Sequence, residues 1–94
     1  AWKVSEKMAV IAKSHQVLCI THLPQIAAQA DSHFLIEKSV KELETQTKIR
    51  RLDDEKSVEE LARMLGGESI TETVLSNARE MKEMAQQQKN TRVK

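Results

Sequence analysis

The stretch Val17-Leu18-Cys19-Ile20, halted by Thr21-His22-Leu23-Pro24, constrains this chain more than any other. Four consecutive apolar residues, two of them β-branched, read as a short strand buried on both faces, the pattern of a parallel sheet covered by helices. Pro24 fixes its own backbone, removes a donor and pushes Leu23 towards an extended conformation. The strand must therefore end before a helix can start. The Ala-rich run from Gln25 to Ala30 then suits a short helix with Pro24 in its first turn. His22, polar and titratable, is left at the carboxyl end of the strand, the edge at which open α/β sheets bind ligands.

The rest of the chain is read outward from that strand. Val4, Met8 and Ile11 repeat at helical spacing and predict a helix near 2–14 with those three on its buried face. Ser14-His15-Gln16 leads directly into the strand at 17–21, as in the second half of a βαβ unit. No start signal precedes the helix, so the first strand of that unit is expected in a longer sequence. His33 to Lys38 reads as a second strand. Thr45 to Leu52 reads as a solvated edge strand, joined to it by a polar connection without an Asn-Gly turn. Ser57-x-x-Glu60 and Ser69-x-x-Glu72 have the form of capping boxes, predicting helices near 57–65 and 70–86. Gly66-Gly67 supplies an exit between them. The stripe Ile70, Val74, Ala78, Met81, Ala85 marks the buried face of the last helix. Residues 1–88 form one unit in this reading, and 89–94, with Lys89, Arg92 and Lys94, a disordered basic tail.

Composition narrows the function classes. Ninety-four residues with 39% hydrophobic and 2% aromatic side chains can build only a thin core, which suits a piece that packs against more protein. A net charge of +1 favours neither nucleic acid nor a membrane surface. The single Cys19 cannot form an internal disulfide and fits a reducing compartment. No run approaches the ~18 apolar residues of a membrane span, and no signal-peptide core is present. A cytoplasmic chain of mixed α/β class is expected.

Among chemistry-bearing residues, His22 stands first, since a neutral imidazole can orient water or donate to a phosphate oxygen. Cys19-x-x-His22, with His15 and His33, has the residue types of a metal site but no second pair at zinc-ligand spacing, and Cys19 reads as a small buried hydrophobe. Arg50-Arg51 and the basic tail could touch nucleic acid, although the interleaved aromatics of single-strand binders are missing. Asp53-Asp54-Glu55 and Glu59-Glu60 fall at turns and first helical turns, where carboxylates complement the dipole. No glycine-rich phosphate loop is present.

Residues Ser14 to Phe34, above all Thr21-His22-Leu23-Pro24-Gln25, resemble the C-terminal head segment of the bacterial SMC-like ATPases of DNA repair, whose heads are related to ABC ATPases. Ile49-Arg50-Arg51-Leu52-Asp53, Val58 to Gly67 and the final helix are similar to the same family. The resemblance implies an α/β fold, the C-terminal part of an ABC/SMC-type P-loop NTPase head with an incomplete sheet. It implies ATP and Mg²⁺ as cofactors of the full-length protein, with His22 as the switch histidine near the γ-phosphate and the attacking water. The remainder of the head, a second head in a homodimer, and DNA are the implied partners, and a nucleoid-associated cytoplasmic location follows. The isolated chain, without Walker A, Walker B and signature motifs, is expected to be inactive and to bind no nucleotide tightly. A different reading is a non-catalytic protein- or DNA-binding module that uses the last helix and the basic tail.

Overall fold

A computed structural model of the chain describes residues 2–92, with side chains described through residue 90. Its centre is a pair of helices, α3 (Asp54–Gly66) and α4 (Glu72–Arg92). They run antiparallel: Lys82 of α4 reaches Asp54 at the start of α3, and Val74 lies against Gly66 at its end. Leu61 and Ala62 of α3 and Ala78 of α4 are fully buried between them, and Ala85 is 1% exposed. Burying Leu61 is worth about 1.5–3 kcal/mol, and the alanines let the backbones approach closely. The stripe read from the sequence is this interface from Val74 to Ala85, while Ile70 lies outside the helix and is exposed.

Both helix starts differ from the capping-box reading. Asp53 caps α3, its carboxylate accepting from the Lys56 N–H at 2.8 Å. Ser57 is thereby drawn inside the helix, buried at 3% exposure. Thr71 caps α4, its hydroxyl accepting from the Val74 N–H at 3.2 Å. An Asx or Ser/Thr side chain placed nearer the true first turn wins over a sequence match displaced from it. Gly67 ends α3 at φ 68°, a left-handed exit. The last helix also runs past its expected end. Arg92 is still helical, and Lys89, expected in the tail, bonds Asp31 at 2.9 Å. Residues 93 and 94 of that tail lie outside the described residues.

Helix α1 (Trp2–Ile11) and the single turn α2 (Pro24–Ala27) pack on this pair. Ala27 and Ala28 enter the buried cluster, with Trp2 and Met81 packed against it. The face of α1 that turns inward carries Trp2 and Ser5, and Val4 and Ile11 are about half exposed. The expected Val4, Met8, Ile11 face is thus corrected. Ser5 tolerates burial because its hydroxyl donates to the Trp2 carbonyl at 2.7 Å, leaving no unsatisfied group.

The expected strand at 17–21 is not formed. Residues 16–21 belong to no ladder, Leu18 is 86% exposed and Ile20 is 89% exposed. A strand exists only through its neighbours' hydrogen bonds, and no described strand lies alongside to supply them. The sheet among the described residues is instead a two-stranded antiparallel hairpin, β1 (His33–Lys41) and β2 (Glu44–Leu52), so the fold is mixed α/β with a small sheet. No helix of the described residues is long and apolar enough to cross a membrane.

The hairpin register pairs His33 with Leu52 and Lys41 with Glu44, leaving a two-residue turn at Glu42 and Leu43. Both turn residues have positive φ, 54° and 70°, the signature of the type I′ turn that matches strand twist. The tight turn replaces the looser connection expected from the missing Asn-Gly. Phe34, Ile36, Val40 and Ile49 share one face, and all four are exposed. The opposite face meets α3 only near its base, where Leu52 is buried and His33 Nδ1 lies 2.9 Å from Ser57 Oγ. Burial there holds the His33 imidazole below the ordinary histidine range; Glu60 of α3 opposes this and Lys82 of α4 adds to it.

Two outcomes follow from the hairpin. Replacing Glu42 with Asn together with Leu43→Gly should raise the unfolding free energy by about 1 kcal/mol, since non-glycine residues in the left-handed region are strained; an unchanged or earlier urea midpoint would contradict that strain. The lowered pKa of His33 means that, below the unfolded value near 6.5, the unfolded chain binds the extra proton first. The stabilisation from neutral His33 is therefore complete above that pH, declines as pH falls from it to the folded value, and is constant below. Comparing melting temperatures at neutral and mildly acidic pH, His33→Gln should show a smaller acid-induced loss than the parent chain.

Candidate functional site

The extended run 16–20 bends at Thr21-His22-Leu23, and the bend is held from both sides. On its N-terminal side the Leu23 N–H donates to Thr21 Oγ1 at 3.0 Å. Leu23 itself is extended, at φ −97° and ψ 120°, as a residue before proline must be. On the C-terminal side the Leu23 carbonyl accepts from the N–H groups of Ile26 and Ala27, each at 3.1 Å. Those bonds make Leu23 the first link of α2, and Pro24 occupies the position where a missing N–H is harmless. Ala27 and Ala28 then join the buried cluster, so the bend is fixed to the core by the single turn that follows it.

His22 itself is exposed, and no hydrogen bond or ion pair among the described residues engages its ring. A neutral imidazole in that state has one N–H to donate and one nitrogen to accept, both directed to whatever approaches the surface. Gln29, which follows α2, is 8% exposed and its amide nitrogen has no hydrogen-bond partner among the described residues. Gln25 faces a shallow apolar groove shared with Trp2, Asn77, Glu80, Met81 and Met84, on α1 and α4.

The other residues singled out by sequence are placed apart from His22. Cys19 is exposed, which corrects its reading as a buried hydrophobe; the strand that would have enclosed it has no neighbours here. His15 contacts Ser14 and His33 contacts Ser57, both at 2.9 Å. Among the described residues no three His, Cys, Asp or Glu side chains come together as metal ligands. Arg50 pairs with Glu37 across the hairpin at 3.0 Å, and Arg51 donates to Ser32 Oγ at 3.4 Å. Of the acidic runs, Asp53 caps α3, Asp54 meets Lys82, Glu59 meets Lys56, and Glu60 accepts the forked guanidinium of Arg63. That bond raises the Arg63 pKa further.

Two groups escaped the sequence reading. The His33–Ser57 bond joins residues 24 apart, and only the shift of the α3 cap to Asp53 brings Ser57 inward. Thr21 ends an apolar run and opens the Thr21-His22-Leu23-Pro24-Gln25 block, and neither pattern states what its hydroxyl does. A threonine two residues before an extended pre-proline position was the available signal, because its hydroxyl can close a turn on that residue's N–H.

No family model matches the chain. It is similar to curated relatives, each named DNA repair protein RecN. It is 40% identical to that of Bacillus subtilis over 91 residues, 97% of this chain and 16% of the relative. It is 44% identical to that of Halalkalibacterium halodurans over 85 residues, 90% of this chain and 15% of the relative. It is 42% identical to that of Vibrio cholerae over 78 residues, 83% of this chain and 14% of the relative. The chain thus spans about one sixth of the length of the curated relatives it matches. Identity at this level, held across almost all of a chain of mixed α/β fold in relatives from separate bacterial genera, leaves one assignment: the chain belongs to the RecN family and carries the sequence of its C-terminal portion.

Proposed function

We propose that this chain supplies a switch histidine, His22, to a composite ATP-hydrolysis site completed by other parts of an SMC-like, ABC-type head. The whole protein would then act in ATP-dependent repair and recombination of broken DNA in the bacterial cytoplasm, with a second head as its partner across the nucleotide. The observation that carries this reading is the state of His22. Its ring is exposed and without a partner among the described residues, while the residue after it, Leu23, is held by Thr21 Oγ1 on one side and by α2 on the other. His33, by contrast, has its ring bonded to Ser57, and the hydrogen bonds that shape the bend are made by Thr21 and Leu23 on either side of His22.

The extended apolar run before it supports the same reading. Val17, Leu18 and Ile20 are exposed, and residues 16–20 share no backbone hydrogen bond with a described strand. Such a segment gains most by entering a sheet that has a strand on each side and layers on both faces. Entering it would carry His22 to the carboxyl edge of that sheet, where ligands of α/β folds bind.

The residues present fit one contact to a triphosphate. His22 would donate to a terminal phosphate oxygen or hold a water against it; bound Mg²⁺ would supply charge neutralisation on the phosphates. Its own part is to orient rather than to bind. A neutral donor aimed at a position where charge develops acts mainly in the transition state.

In the full-length protein, His22→Ala should lower the maximal rate of ATP hydrolysis by about 100-fold, the scale for loss of one transition-state donor. Nucleotide affinity, measured by titration with a fluorescent ATP analogue, should change less than about threefold. Wild-type turnover in the variant would remove His22 from the reaction.

A further inference from the structure

Among the described residues, the bend that carries His22 has one side-chain hydrogen bond, and it is made by the residue immediately before the histidine. Thr21 Oγ1 accepts from the Leu23 N–H at 3.0 Å, so the bond spans His22 and closes the turn around it. Without it, the peptide between Thr21 and Leu23 would rest on the run 16–20 alone, which has no ladder of its own. On the other side the backbone is already anchored, through the Leu23 carbonyl, to α2 and the buried Ala27 and Ala28. His22 therefore sits between a firm anchor and a single clasp. The clasp is what fixes the direction of its Cα–Cβ bond relative to α2.

We infer that Thr21 is a positioning residue for His22, its hydroxyl holding the turn in the one backbone conformation that aims the imidazole at the phosphate. This inference rests on the role of His22 proposed above. It assigns Thr21 no contact with nucleotide and no proton transfer. The hydroxyl acts as an acceptor from a backbone amide, and its own proton remains available to a further acceptor. Threonine suits the place for two reasons. Its β-branched side chain favours the extended backbone that precedes the bend, and its short reach lets the oxygen meet an N–H two residues ahead. Valine keeps that shape and loses only the acceptor. Serine keeps the acceptor and loses the branch.

The test is made in the full-length protein with Thr21→Val, Thr21→Ser, His22→Ala and the double variant Thr21→Val/His22→Ala, each assayed for ATP turnover and nucleotide affinity. Thr21→Val should lower turnover by about 10- to 100-fold, the scale of a small misplacement of a reacting group, with nucleotide affinity within about threefold of the parent. Thr21→Ser should restore most of the rate. The double variant should turn over ATP no more slowly than His22→Ala alone, because a clasp has no effect once the group it aims is gone. A general weakening of the head would instead multiply with the His22 loss, and that result would overturn the inference. So would full turnover in Thr21→Val while His22→Ala is impaired, or equal impairment of Thr21→Val and Thr21→Ser; each of these leaves the role of His22 standing. Full turnover in His22→Ala would overturn the role of His22 and the inference with it.

Discussion

Close approach of alanines holds this structure together. Ala62 and Ala78 are fully buried and Ala85 nearly so, and with Leu61 they let α3 and α4 lie against each other with little side chain between. Ala27 and Ala28 join the same cluster from α2. A chain with one Trp, one Phe and no Tyr has few large side chains with which to fill wider gaps, so small residues take their place at the centre of the helix pair. An added methyl group here meets backbone or buried side chain rather than solvent, and overpacking of that kind is destabilising. The bend at His22 depends on this contact, because α2 is a single turn with little stability of its own.

Polar contacts outside that cluster are mostly exposed and individually weak. The ion pairs of Arg50 with Glu37 and of Lys56 with Glu59 lie with more than half of most side chains in solvent, and they decorate the fold rather than determine it. Lys82 with Asp54 and Lys89 with Asp31 are different in one respect: the lysine stems are largely covered. Each keeps most of its stem out of solvent while its head group meets a carboxylate on another part of the chain, Asp54 or Asp31. Lys89 thereby ties the far end of α4 to the loop that leads from α2 into the hairpin.

What the sequence revealed and what it hid divide along physical lines. The α4 stripe was legible because its signal and its packing partner lie within one helix pair. The strands expected near 33–38 and 45–52 were legible for the same reason, each having its partner close in sequence, whereas the extension to Lys41 and Glu44 around a tight turn was not. Val4 and Ile11 misled because an apolar stripe states only that a face wants cover; Ser5, satisfied by its own helix, could be buried instead. The cap of α3 was misplaced by one turn, since Asp53 and Ser57 both offer a side-chain acceptor and only the chain path chooses between them. The segment 17–21 misled most. Its apolar composition predicts a buried central strand, but a strand's hydrogen bonds belong to its neighbours, none is among the described residues, and the segment forms no strand and is exposed. At the site, the position of His22 at the end of that run was legible and the Thr21 clasp was not.

The exposed run Val17-Leu18-Cys19-Ile20 also bears on how copies of this chain behave in solution. An extended segment with unpaired backbone groups and apolar side chains is a template on which another strand can add, and proteins ordinarily blunt or cover such edges. Solubility of this chain therefore turns on the same four residues: uncovered, they favour strand addition between copies, and a neighbouring strand on each side removes that tendency.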